Sequence, residues 1–427
     1  MRSSLPPGPA ALPAVQVARW IARPTVFMNT ARREYGDVFT VRFAGVGRFI
    51  FVSDPALIKP IFTAPADQLH AGEANWPLIP VLGNRSVLLL DGKEHLGRRK
   101  LLLPPFHGQR LERYREMFAD VAAEQIEQWP RGEPFPILPK MQAITLELIM
   151  RVVFGDQEDP QRLKRLSTAM TDLAAAGQNK LAMIPWLRHD FGRYSPMGMF
   201  MAVRERVDRV LFDEIARRRE RGDLEDREDR EDILSMLLQT EMTDEELRDE
   251  LMTVLVAGHE TTTTALAWAF ERLLRHPGMY ERLRTDERWA DAVVNETLRL
   301  RPPLPIVGRV VKQDFQLDGY TVAAGETLAP CIWLTHRNEQ VYPDPYAFNP
   351  ERFVDKGPET YSWLPFGGGT RRCVGASFAQ LEMTVVMQTI AKLVDMEPAE
   401  TGAEHVGRRG IVLAPERGSR VIVTSVG

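Results

Sequence analysis

The chain has 427 residues, of which 44% are hydrophobic, 26% charged and 8% aromatic, and its formal net charge is -4. These values lie within the range of ordinary soluble globular proteins and exclude disordered, collagenous and disulfide-framework classes, while the charge offers no general attraction to nucleic acid or membrane. Two cysteines, Cys331 and Cys373, lack metal-finger spacing, and the proline-broken start MRSSLPPGPAALPAVQ has no apolar core for a signal or a span, so a cytoplasmic protein is expected.

In chain order, residues 1–15 read as a loose extension. VFTVRF and RFIFV read as strands split by AGVG, and DPALIKPIFT as a helix capped by Asp54 before Pro55. From Glu94 to Val394 long helical patterns dominate, interrupted by a proline-rich stretch and the hairpin-like VVKQDFQLDGYTVAAGETLAP. The fold class expected is mainly α with small antiparallel β-sheets. The run RRRERGDLEDREDRED mixes signs without apolar periodicity and reads as a solvated helix end and loop. Met197, Met199, Phe200 and Met201 follow a Ser195-Pro196 turn and suit either irregular core packing or a mobile access flap.

A long helix is expected from Thr243, which forms a capping box with Glu246, through Leu247, Leu251, Val254 and Leu255 to a stop at Pro277. Its middle, Gly258 followed by Thr261 to Thr264, is poor helix material. A threonine hydroxyl can bond the carbonyl four residues back, so Thr261 is expected to capture the Ala257 carbonyl and open a groove there.

Residues 366–375, FGGGTRRCVG, place Cys373 among glycines and arginines just ahead of the amphipathic run ASFAQLEMTVVMQTIAKLV. Glycines 367 to 369 permit a tight turn that brings backbone amides toward the sulfur, and a helix beginning after Cys373 favours the thiolate and lowers its pKa. Gly375 leaves space for a large flat group. The plainer reading is a small buried cysteine beside a glycine turn.

Phe366, Gly367, Gly369, Arg371, Cys373 and Gly375 resemble the haem-binding loop of the cytochromes P450, whose cysteine thiolate ligates the haem iron. Three more motifs follow the same order. Ala257, Gly258, Glu260 and Thr261 resemble the family's oxygen-activation site; Glu296 and Arg299 resemble its Glu-x-x-Arg pair; Arg352 in NPERF resembles the arginine that joins them. The resemblance implies the P450 fold, a haem b held by Cys373, and proton supply by Thr261 and Glu260. It assigns His95, Arg99, Arg309 and Arg371 to the haem propionates, with His95 standing where many members carry tryptophan, and Phe366 and Gly367 to the haem loop.

It further implies that residues 1–427 form one haem domain with no fused reductase, a monomer reduced by a ferredoxin or flavodoxin with its reductase. Lys93, Arg98, Lys100 and Arg372 are the candidate docking cations. Trp76, Leu78, Ile79, Val81, Leu82, Leu304, Ile306 and Val307 suggest a dry pocket for a lipophilic substrate. The expected activity is insertion of one atom of dioxygen into a C-H or C=C bond. A peroxide-driven peroxygenase and a haem-thiolate ligand sensor are the competing readings, and the acid and alcohol at Glu260 and Thr261 weigh against both.

Overall fold

A computed structural model describes residues 5–155, 160–177, 192, 194–220 and 232–426, so most of the charged run at 217–232 lies outside the described residues. The two β-rich runs form β1 (Val38–Phe43) and β2 (Gly47–Val52), antiparallel from Val38 opposite Val52 to Phe43 opposite Gly47. Further strands are β3 (Leu69–His70), β4 (Phe135–Pro136), β5 (Arg309–Val311), β6 (Phe315–Leu317), β7 (Tyr320–Val322) and β8 (Thr327–Pro330). Near the C-terminus come β9 (Val394–Pro398), β10 (Val406–Arg409), β11 (Val412–Pro415) and β12 (Arg420–Val426).

The first sheet has the order β1-β2-β8-β5-β3, the others being β4-β12-β9, β6-β7 and β10-β11. Among the described residues the ladders are antiparallel except at one seam, where Phe49 to Val52 of β2 run parallel to Thr327 to Pro330 of β8. The β6-β7 hairpin turns at Asp318 and Gly319, with φ of 48° and 75°, the positive values that a tight two-residue turn demands.

Longer helices are α1 (Pro13–Ala22), α2 (Pro24–Tyr35), α3 (Pro55–Thr63), α4 (Gly92–Leu102), α5 (Gln109–Ile126), α6 (Leu138–Phe154) and α7 (Pro160–Gly177). They continue with α8 (Pro196–Glu220), α9 (Asp244–Leu273), α10 (Glu287–Leu300) and α11 (Ala376–Leu393). α9 is the expected long helix, 30 residues, and its capping box is complete: Glu246 N donates to Thr243 Oγ1 at 3.3 Å while Thr243 N donates to Glu246 Oε2 at 3.0 Å. It crosses the main core against α6, α8, α10 and α11.

The glycine and threonines in its middle weaken it by a few tenths of a kcal/mol each, roughly 1 for glycine. Burial offsets this, because Thr262, Thr263 and Thr264 are all buried and Thr263 Oγ1 shares a 2.6 Å hydrogen bond with Thr145 Oγ1 of α6.

One expectation is corrected, and one of two open readings is supported. The segment Leu5–Gly8 is stapled to β1: Thr40 N donates to Pro7 O at 2.9 Å, Thr40 Oγ1 to Pro6 O at 2.7 Å, and a Cβ on Gly8 would sit 1.8 Å from Thr40 O. Glycine is required there by close approach of two backbones. The methionine stretch opens α8 with Met197 and Phe200 buried in the main core and Met199 exposed, so packing explains its inner face.

Candidate active site

The cysteine loop lies against α3 and leads into α11. Gly367 and Gly369 have φ of 68° and 65°, and a Cβ on Gly369 would stand 2.0 Å from the Phe62 carbonyl oxygen. One on Gly368 would meet the Phe62 ring at 2.5 Å, so Gly368 and Gly369 are dictated by the contact with Phe62, whereas Gly367 is favoured by its positive φ alone. Gly367 N donates to Leu364 O and Cys373 N to Phe366 O, each at 2.9 Å, which closes the loop around the sulfur. α11 begins three residues after Cys373, and a Cβ on Gly375 would touch nothing within 4 Å.

The Cys373 side chain is exposed at its surface, yet dense protein surrounds it, and burial pushes its thiol up against the opposing pull of the Gly375 amide, Arg99 and Arg372. The expectation of a depressed thiol is therefore corrected for the protein by itself: desolvation outweighs the helix end and the arginines. Cys331 is no rival ligand. It is fully buried with Sγ 3.5 Å from Met28 Sδ, and burial pushes its thiol up to about 12.

The structure brings the four candidate propionate ligands together, three arginines and one imidazole. His95 is pushed down to about 4, first by burial and then by Arg371, Arg99 and Arg309. Arg309 is buried over the Phe62 ring, 5.4 Å from its centroid, and both Arg309 and Arg371 are lowered to about 10 by burial. His95, Arg309 and Arg371 line one cleft with Phe62, Asp91 and Gly368. Asp91, 3.7 Å from Arg371, is the carboxylate beside them. A partly buried surplus of cations is what acidic propionates complement. Arg371 has a second task, donating from Nη1 to Leu90 O at 2.8 Å and from Nη2 to Leu88 O at 3.2 Å, which clamps the segment before α4.

Arg98 does not belong to a surface patch. It is buried, donating from Nη2 to Glu246 Oε1 at 2.6 Å and from Nη1 to Glu250 Oε1 at 3.3 Å, and so ties α4 to α9. Burial pushes Glu250 up to about 8 despite Arg98. Lys93, Lys100 and Arg372 remain exposed.

On α9, every residue from Leu247 to Glu271 is buried except Val256, Ala257, Gly258, Glu260 and Thr261. Thr261 Oγ1 donates to Ala257 O at 2.8 Å, the expected back-bond, and Thr262 Oγ1 donates to Gly258 O at 3.2 Å. These turns form an accessible window in an otherwise enclosed helix. Glu260 is ion-paired with Arg409 of β10, a partner that no pattern in the sequence announces, since GRRG there reads only as a turn with cations. Arg248 of α9 donates to Leu82 O at 3.0 Å and pairs with Asp208 of α8, while Asp249 Oδ2 accepts from Arg85 N at 2.8 Å. The apolar 76–82 loop is thereby fastened to α9. Its Leu82 is buried, and Trp76 and Ile79 are exposed.

Glu296 and Arg299 are both 0% exposed and joined by two hydrogen bonds, Nε to Oε2 at 2.6 Å and Nη2 to Oε1 at 2.8 Å. Arg299 Nη1 also donates to His336 O and Pro345 O, each at 2.8 Å. Arg352 stands 3.7 Å from Glu296 Oε1, too long for a hydrogen bond, and donates from Nη2 to Asp344 O at 3.0 Å.

His336 was invisible to motif reasoning. Its Nε2 accepts from Leu364 N at 2.7 Å, so Nδ1 carries the proton and donates to Arg299 O at 3.0 Å. Leu364 O in turn holds Gly367 N. The Glu296-Arg299 pair is thus connected through one neutral imidazole to the cysteine loop.

The donor set fits a haem: one accessible thiol on a glycine cradle, an open face at Gly375, a cation cluster, and a window with an acid and an alcohol. Comparison with known proteins agrees. The family model described as cytochrome P450 matches residues 6–420. The chain is 39% identical to cytochrome P450 135B1 of Mycobacterium tuberculosis over 98% of its own length and 91% of the relative's. With cytochrome P450 137 of the same species the identity is 36%, covering 96% and 88%. Among solved structures, retinoic acid-bound cyanobacterial CYP120A1 matches with a TM-score of 0.86 at 25% identity over 100% of both chains. CYP175A1 from Thermus thermophilus matches with a TM-score of 0.76 at 25% identity, covering 94% of this chain and 95% of that one. Agreement of sequence and fold along nearly the whole chain establishes descent: this protein belongs to the cytochrome P450 family, whose members are in general haem-thiolate monooxygenases.

Proposed function

We propose that this protein inserts one atom of dioxygen into a C-H or C=C bond of a lipophilic molecule, drawing electrons from a separate ferredoxin or flavodoxin. The observation that carries this reading is the accessible window on α9, where a back-bonded threonine and an acid interrupt a helix that is otherwise buried. Cys373 would hold the iron, His95, Arg99, Arg309 and Arg371 the propionates, and Phe366 and Gly367 the loop beneath. Bound there, a thiolate-ligated haem supplies the redox chemistry that cleaves dioxygen. Thr261 keeps the helix groove open and orients a proton path through its hydroxyl, and Glu260 hands protons into that path.

Leu78 and Val81 pack against the cluster that holds Val254, beside the accessible Ala257, and this apolar surround supports an apolar substrate, because such a site selects by burial of carbon rather than by hydrogen bonding. A fatty acid, terpenoid or steroid has the right chemistry, and the cyanobacterial structure with retinoic acid bound is a parallel. The exposed cations Lys93, Lys100 and Arg372 suit an acidic electron donor. A single cytoplasmic haem domain, acting as a monomer, completes the reading.

The test is a panel of fatty acids, terpenoids and steroids titrated into the ferric holoprotein, followed by turnover with a surrogate ferredoxin and its reductase. A shift of the ferric haem spectrum and an oxygenated product with an apolar compound are expected. Binding of small polar compounds only, or turnover with hydrogen peroxide and none with dioxygen and the donor, overturns the reading.

A further inference from the structure

Glu260 sits where the window of α9 meets the β10-β11 hairpin. Its Oε1 is ion-paired with Nε of Arg409, and its Oε2 is buried without a hydrogen-bond partner among the described residues. Arg409 is braced from another element, donating from Nη2 to Gln142 Oε1 of α6 at 2.9 Å. Among the described residues two charged or titratable groups face the carboxyl: Arg409 from β10, and His259 from α9 itself, whose Nδ1 lies 3.6 Å from Glu260 Oε2. Burial and Arg409 push His259 down to about 4, which leaves it neutral at physiological pH. Burial raises Glu260 while Arg409 lowers it. The side chains of Arg409 and Glu260 retain 15% and 19% exposure, so the pair is reached by solvent.

We propose that Arg409 is a positioning residue for proton delivery, anchoring Oε1 of Glu260 so that this partly accessible carboxyl cycles a proton between solvent and the Thr261 groove. This rests on the monooxygenase reading above. In each cycle an O-H bond forms on the carboxyl as a proton arrives from water at the accessible edge of the pair and breaks as the proton leaves for the Thr261 groove. No electrons change hands, and Arg409 stays protonated. A buried carboxyl without a counter-ion holds its proton too firmly to donate well, because transfer is most effective when the acid's pKa lies near the working pH. Fixing Oε1 on Arg409 also restricts the rotation of the carboxyl.

The test uses the holoprotein and variants Arg409→Met, Arg409→Gln and Arg409→Lys, with Glu260→Gln to identify the band. Infrared difference titration of the Glu260 carboxyl reads its midpoint without any substrate. Arg409→Met and Arg409→Gln are expected to raise that midpoint by about one to three pH units, and Arg409→Lys to keep it near the parent. The solvent deuterium isotope effect on dioxygen consumption, driven by a surrogate ferredoxin and its reductase, should rise in the neutral variants and return in Arg409→Lys. An unchanged midpoint in whichever neutral variant folds overturns the proposal, and so does a moved midpoint with an unchanged isotope effect. Because the titration requires no turnover, its failure is distinct from failure of the monooxygenase reading, which a lack of oxygenated product would signal.

Discussion

Thr261 donates its hydroxyl to the carbonyl of Ala257 at 2.8 Å in the middle of a 30-residue helix, at the stretch where that helix is accessible. Since the hydroxyl sits at the helix surface, Thr261→Ala should alter stability by no more than about 0.5 kcal/mol and leave haem content unchanged. The expected defect is in coupling: reducing equivalents are consumed and hydrogen peroxide is released in place of product. Thr264→Val is the matched control, because Thr264 Oγ1 is buried without a partner among the described residues. Thr263 is unsuitable as a control, since its hydroxyl is bonded to Thr145. Equal product per reduced nicotinamide in Thr261→Ala and the parent would remove the role of this hydroxyl.

Cys373→Ser should abolish the thiolate signature in the carbon monoxide difference spectrum of the reduced protein. A hydroxyl is a harder and much less acidic donor than a thiol. Cys331→Ser should leave that signature intact, because Cys331 is enclosed by core residues on the other side of the first sheet. Persistence of the signature in Cys373→Ser would refute the assignment.

Glu296→Gln or Arg299→Leu strands a buried partner, since both side chains are 0% exposed. A loss of about 3 to 5 kcal/mol in unfolding free energy is expected, together with weaker haem retention, because His336 links Arg299 to the loop that carries Cys373. Chemical denaturation of the holoprotein with haem absorbance as a parallel readout checks both. A loss under 1 kcal/mol would mean the pair is replaceable.

Acid should destabilise the protein between about pH 6.5 and about pH 4. Burial holds His259 neutral down to about 4 in the folded state, and it lowers His336 as well. In that window the unfolded chain binds protons that the folded chain does not, so stability falls as pH falls. One such group contributes at most about 1.4 kcal/mol per pH unit. His259→Gln should flatten the acid limb, measured by denaturation at a series of pH values; an unaltered slope would show that His259 is already protonated in the fold. Glu250, pushed up to about 8, works in the other direction, since its neutral folded form loses stability as pH rises from about 4.5 through 8.

Arg372→Glu should slow reduction by an acidic ferredoxin roughly tenfold at low ionic strength, with the difference shrinking as salt screens the field. Stopped-flow reduction across a salt series measures it at constant haem content. Arg98→Glu is no test of docking, because Arg98 is buried on Glu246 and Glu250.

Local features carried much of this protein's architecture in the residues themselves. Asp54 before Pro55, the Thr243-Glu246 box and the Asp318-Gly319 turn each act within a few residues, so strand, helix and hairpin boundaries could be read directly. The Thr261 back-bond is local in the same way, spanning one helical turn. The glycines around Cys373 announced a tight loop, though not that Phe62 is what forces it.

Tertiary structure decided whatever depends on residues far apart in the chain. The parallel seam between β2 and β8 joins segments 278 positions apart, and no periodicity encodes such a pairing. Arg98 and Arg372 look alike in sequence; one is buried against α9 and the other exposed, because burial depends on what packs over a side chain. Arg409 meets Glu260 from a hairpin near the C-terminus, and His336 reaches Leu364 from a different loop. The thiol of Cys373 is raised rather than lowered for the same reason: a helix end and nearby arginines are legible from sequence, whereas desolvation belongs to the folded surroundings as a whole.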